Sequence, residues 1–166
     1  MPSFTMIHAI VIFTFLTSCS ISSLLNLSEK PPVFSTDIIL PNLTFEFKKQ
    51  TESVFPSWKN KKTSNVISVF SDCTDTTQNL KSVHSTITNS IENETVVEAK
   101  KVSMNNNEGY FRKVYGQIDG HDIEIISSSF KYKNCVYLSS LSGQRTKINS
   151  DLNSWQIFNQ NIEFKK

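Results

Sequence analysis

Residues 110–141 read YFRKVYGQIDGHDIEIISSSFKYKNCVYLSSL. Three extended segments follow one another here, each closed by residues that bend a chain. Tyr110 to Ile118 sets Phe111, Lys113, Tyr115 and Gln117 on one side of a strand. The turn Asp119-Gly120-His121 follows, then Ile123 to Tyr132. Beyond Asn134, Cys135 to Leu141 runs until Ser142-Gly143-Gln144 ends the sheet. Upstream, Val96 to Met104 supplies one more strand, and Asn105-Asn106-Asn107-Glu108-Gly109 turns it into Tyr110, since Asn and Gly tolerate positive φ. Thr95 to Leu141 thus reads as a four-stranded meander.

Working outward, Asn42 to Lys48 is the first strand candidate, with Leu43, Phe45 and Phe47 alternating with Thr44 and Glu46. Pro56-Ser57-Trp58 breaks the chain, and Trp58 plugs one end of the core. Val66 to Cys73 is more continuously apolar and so more central. Asp75-Thr76-Thr77-Gln78 has the form of a capping box. Leu80, Val83, Ile87 and Ile91 then follow at helical spacing, which predicts an amphipathic helix over roughly Thr76 to Asn93. A last helix starts near Asn149 or Ser150, either a good N-cap. Its stripe is Leu152, Trp155, Phe158 and Ile162, with Ile157 and Phe164 beside it. The fold class is α+β: an antiparallel β-sheet of about six strands packed by two main helices. Whether the helices cover one face or both is left open.

At the other end of the chain, Ile7 to Leu16 is an apolar run, too short to span a bilayer, which needs about 20 apolar residues. It ends in Leu16-Thr17-Ser18-Cys19, which resembles the lipobox of bacterial lipoproteins. The resemblance implies a cut before Cys19 and acylation of its thiol. Residues 1–18 are then a lipoprotein signal peptide, 19–41 a tether stiffened by Pro31-Pro32, and 42–166 a single α+β domain. Membrane lipid holds the chain through acylated Cys19. Ser20 follows the cysteine where an inner-membrane retention signal would have Asp, which points to the outer membrane of a Gram-negative cell. An ordinary secretory signal cut near Ser18 or Ser20, and an uncleaved anchor or core helix, are the other readings. With Cys19 lipidated, Cys73 and Cys135 remain, and two thiols in an exported chain suggest one disulfide. Two separately buried thiols are the alternative.

The chain's 166 residues carry a formal net charge of +2, which gives no case for nucleic acid as a partner. Lys59-Asn60-Lys61-Lys62 reads as a solvated loop, or else a contact for acidic lipid or partner. No nucleophile, base and orienting group share a motif. His84 sits at the edge of the first helix's stripe with no partner to name. Asp119, His121 and Asp122 crowd one turn, as hairpin turns commonly do, and the pairs Glu92–Glu94 and Asp122–Glu124 have the spacing of solvated surfaces. Four glycines scattered among turns cannot cradle phosphate. No catalytic, cofactor-binding or metal-binding residue is assigned.

The element order, Pro56-x-Trp58 before a strand, Cys135-Val136-Tyr137-Leu138-Ser139 leading to a closing helix, and Trp155-x-x-Phe158 with Ile162-x-Phe164 resemble the PsbP-like group, including DcrB-like bacterial lipoproteins, over residues 40–166. The resemblance implies an antiparallel sheet with helices on its faces and a non-catalytic accessory role. The expectation is a lipid-anchored, non-enzymatic cell-envelope protein that binds an unknown envelope protein. One alternative is an envelope hydrolase, or a hydrolase inhibitor acting on the cell wall with Asn105 to Gly109 as a plug. Another is a secreted eukaryotic protein glycosylated at Asn26, Asn42 and Asn93.

Overall fold

The computed structural model describes residues 34–74, 79–104 and 106–165. The leader, Cys19 and the capping box Asp75-Thr76-Thr77-Gln78 lie outside the described residues. Four short or medium strands come first: β1 (Ile38–Ile39), β2 (Phe47–Lys49), β3 (Ser57–Asn60) and β4 (Val66–Asp72). A 3-10 turn, Ser82–His84, leads into α1 (Ser85–Thr88). The meander follows as β5 (Glu92–Met104), β6 (Asn107–Ile118), β7 (His121–Tyr132) and β8 (Cys135–Gln144). A second 3-10 turn, Ile148–Asp151, opens α2 (Leu152–Gln160), and β9 (Glu163–Phe164) ends the fold.

Seven strands make one antiparallel sheet in the order β2-β3-β4-β8-β7-β6-β5, and β1 pairs with β9 in a separate ribbon. The meander has two-residue turns: Met104 faces Asn107, Ile118 faces His121, and Tyr132 faces Cys135. Asp119 and Gly120 both take positive φ, 50° and 75°, the conformation that matches the twist of flanking strands in a two-residue hairpin. The turn expected over Asn105 to Gly109 is tighter, because Asn107 to Gly109 already pair within β6.

After β4 the chain must cross to the far edge of the sheet to start β5. The crossing segment lays Val83 against Phe70, Val136 and Leu138, and Ile91 against Val114 and Ile125. On the other face, α2 buries Trp155 and Phe158 against a core that includes Ile67, Val69, Ile126, Phe130, Tyr137 and Leu141. Leu138 and Ser139 are adjacent in β8; Leu138 meets Val83, and the Trp155 indole donates to Ser139 Oγ at 3.1 Å. The two helical segments therefore cover opposite faces.

Three expectations change. Of the helix expected over Thr76 to Asn93, the described residues form only the 3-10 turn and the four residues of α1. Its sequence, Ser-Thr-Ile-Thr, is β-branched and hydroxyl-rich and propagates helix poorly. The apolar spacing still buries Val83 and Ile91, so the pattern located the buried side without the conformation. Pro56-Ser57-Trp58 does not end a strand; Ser57 to Asn60 is β3, with the Trp58 ring edge-on to Phe158 at 5.3 Å. The strand at Asn42 to Lys48 narrows to Phe47–Lys49, because a turn closed by Phe47 N–H to Thr44 C=O at 3.0 Å precedes it. That turn leaves Phe45 84% exposed instead of facing the core.

Residues 34–41, expected to belong to a tether, pack on the domain instead. Ile38 is buried, and Phe34 and Leu40 pack on the main core. Ser35 N–H donates to Ser71 Oγ at 2.9 Å, and the Tyr137 hydroxyl donates to Ser35 Oγ at 2.9 Å. Asp37 pairs with Lys133 at 2.9 Å, which holds the Asp37 carboxyl below its usual range and the Lys133 ammonium above its own. The folded domain thus takes in the chain from Phe34 onward.

Candidate functional site

The buried polar groups were the first places where chemistry could reside. His84 is fully buried on the crossing segment, not at a boundary. Its Nδ1 lies 2.7 Å from Ser127 Oγ and its Nε2 3.0 Å from Ser129 Oγ. Ser129 Oγ donates to Leu80 C=O at 2.7 Å, so it accepts from Nε2–H, and Ser127 donates to Nδ1. Burial, reinforced by the nearby Arg112 guanidinium and opposed by a bond to the Tyr110 backbone, lowers the His84 pKa to about 4. A neutral imidazole clamped by two buried hydroxyls ties the crossing segment to β7.

Asp151 makes a second buried knot. Its Oδ1 accepts from Asn60 Nδ2 at 2.8 Å, and its Oδ2 accepts from Thr63 Oγ1 at 2.5 Å and from Asn65 Nδ2 at 2.7 Å. Asp151 stands at the N-cap position of α2 yet makes no side-chain cap bond, because both oxygens are taken by the β3–β4 turn. The caps expected at Asn149 or Ser150 lie inside the 3-10 turn. On the sheet, Lys113 pairs with buried Glu124 at 3.0 Å, and Arg112 pairs with Glu94. These pairings take up one member of each carboxylate pair noted in the sequence. Asp122 accepts from the Gln117 amide at 3.1 Å. His121, its neighbour in β7, projects to the opposite face. Among the described residues no three His, Cys, Asp or Glu side chains stand together as a metal site requires.

Cys73 and Cys135 are joined in a disulfide. Cys73 follows β4 directly and Cys135 opens β8, and the register that opposes Asp72 to Val136 brings the two cysteines together. The bond staples the centre of the sheet where the crossing segment departs. Cys19 lies outside the described residues.

A basic region lies on the β2–β3 edge. An open depression of about 490 Å³ is lined by Lys48, Lys49, Gln50, Lys59, Lys61 and Ser64, among others. Asn60, in the middle of the basic run of the sequence, is buried on Asp151, while the lysines around it are exposed. Phe45 stands beside them, its carbonyl accepting from Lys61 Nζ at 2.8 Å. Sequence reasoning found the lysines and missed Phe45 and Asp151. The signal for Asp151 was its place one residue past the expected caps.

No family model and no curated protein sequence matches the chain. Solved structures do. PA94 of Pseudomonas aeruginosa, a protein of unknown function, is 9% identical with a TM-score of 0.52, over 76% of this chain and 86% of that one. The cyanobacterial PsbP of Synechocystis sp. PCC 6803 is 6% identical with a TM-score of 0.52, over 79% and 84%. LpqN of Mycobacterium tuberculosis, involved in cell envelope biogenesis, is 6% identical with a TM-score of 0.54, over 78% and 83%. At such identities the likeness is one of fold: the domain is PsbP-like, an antiparallel sheet with a helical segment on each face. Among the described residues no helix is long and apolar enough to cross a membrane.

Proposed function

We propose that this chain is a non-enzymatic accessory protein of the cell envelope, held to a membrane by an acylated Cys19 and working by contact with another envelope component. The observation that carries the reading is the Cys73–Cys135 disulfide. Such bonds persist in exported proteins and are rare in reducing compartments. An apolar leader ending in Leu16-Thr17-Ser18-Cys19 precedes the same domain, and supplies both the export signal and the anchoring thiol. The fold shared with LpqN, a protein of envelope biogenesis, supports the same setting. Bacterial lipoprotein acylation adds more than one chain, which is what lasting attachment requires.

Metabolic labelling with palmitate tests the anchor. The native chain takes up label, and Cys19→Ala loses it while keeping the disulfide and its thermal transition. Label that persists on Cys19→Ala contradicts the reading. Crosslinking in intact cells tests the contact, and a chain that captures no partner under any growth condition speaks against it.

A further inference from the structure

We propose that the edge formed by Phe45 and the lysines of the β2–β3 hairpin is a contact for an anionic lipid surface. Between Phe45 and Lys62 lie five lysines and two glutamates, a local charge of +3 against +2 for the whole chain. The rest of the molecule is therefore close to neutral, and the net positive charge of the chain falls within this segment. Lys48 and Lys59 are direct cross-strand partners. Like charges so opposed repel across a strand pair, and the fold gains nothing from them. Among the described residues, Lys48, Lys49 and Lys59 have no carboxylate partner, whereas Lys62 is paired with Glu46 at 2.8 Å.

Phe45 adds what a purely ionic site would lack. Two backbone bonds, Phe47 N–H to Thr44 C=O at 3.0 Å and Lys61 N–H to Glu46 C=O at 2.9 Å, fix the turn that carries it outward. A large apolar ring held in water, ringed by cations, matches the headgroup boundary of a bilayer, where aromatic rings settle and basic residues meet anionic lipid. A soluble polyanion would use the lysines and ignore the ring.

The location rests on the anchored reading; the chemistry does not. Ser35 binds Ser71 where the chain enters the fold, while the turn bearing Lys61 and Lys62 joins the Val66 end of β4. The two ends are separated by about 20 Å of strand. Residues 20–33 reach at most about 45–50 Å when fully extended, enough to let the basic end turn to the membrane.

The test is cosedimentation of the full chain carrying Cys19→Ala with phosphatidylglycerol–phosphatidylcholine vesicles and with pure phosphatidylcholine vesicles. The leader is common to every variant and cancels, and acylation plays no part. Loss of palmitate labelling and loss of this binding are thus separate outcomes. Binding to the anionic vesicles exceeds the neutral ones by at least tenfold and falls with added salt. Substituting Lys48→Gln, Lys49→Gln and Lys59→Gln together weakens it roughly a hundredfold, at about fivefold per lysine. Phe45→Ser weakens it severalfold, and thermal transitions of both variants match the parent. Equal binding to the two vesicle types, or an unchanged triple variant, overturns the proposal. So does binding that survives Phe45→Ser and is matched by soluble polyphosphate, which would assign the patch to a polyanion instead.

Discussion

His84 couples stability to pH. With its pKa lowered from 6.5 to about 4, the folded chain resists a proton that the unfolded chain accepts. The contribution is fully present above pH 6.5 and is lost as pH falls from there towards 4, by up to about 3 kcal/mol. Denaturant unfolding at pH 7 and pH 4.5 measures it, and His84→Gln flattens the difference by removing the titrating group. A second residue-scale prediction concerns Gly143. A Cβ there would stand 1.9 Å from Asn65 Oδ1. Gly143→Ala must displace Asn65, which also donates to Asp151 and to Lys147 C=O. The loss is about 2–4 kcal/mol, and Asn65→Ala in the same chain makes the pair cost less than the sum of the two. Additive losses contradict the shared network. At this scale the sequence disclosed chemical types and hid partners. The lysines of the basic run were visible, because a surface needs only exposure. Asp151's three donors were not, since Asn60, Thr63 and Asn65 lie about ninety residues away along the chain and meet it only in the fold.

At the scale of elements, the meander was the legible part. Each of its strands is closed by residues that bend a chain, and Asp119-Gly120 admits little other than a tight hairpin turn. The crossing segment was harder, because apolar spacing reports which side is buried without reporting conformation, and Ser85 to Thr88 sustains barely one turn. β3 was hidden by Pro56 at its mouth, where a proline is tolerated because it starts the strand. The outer edge of the sheet explains its own polarity. β5 exposes Val96 and Val97, yet its pairing with β6 shifts register twice and it carries Lys100 and Lys101, devices that discourage pairing with other strands. The disulfide makes the prediction for this level. It closes a loop of 62 residues at the junction of β4, β8 and the crossing segment. Cys73→Ala with Cys135→Ala lowers unfolding free energy by about 4 kcal/mol. Urea denaturation measures this, and a midpoint indifferent to reductant contradicts it.

For the whole molecule, the two faces of the sheet are closed by different means, a crossing segment on one and α2 on the other, and the N-terminal chain is knotted to the sheet through Ser35 and Asp37. Covering both faces was undecidable from order alone, because one helix before and one after a meander fit either arrangement. The consequence is a self-contained domain with Ser35 and Asp37 bound at one end of β4 and the lysines of the β2–β3 hairpin near the other. The proposed anchoring depends on what happens at Cys19. Intact-mass spectrometry of the chain isolated from its own cells decides the matter. The account predicts a mature chain starting at Cys19, carrying fatty acyl groups on that residue and a disulfide between Cys73 and Cys135. An intact Met1, or a start beyond position 19 with no acyl mass, would contradict it.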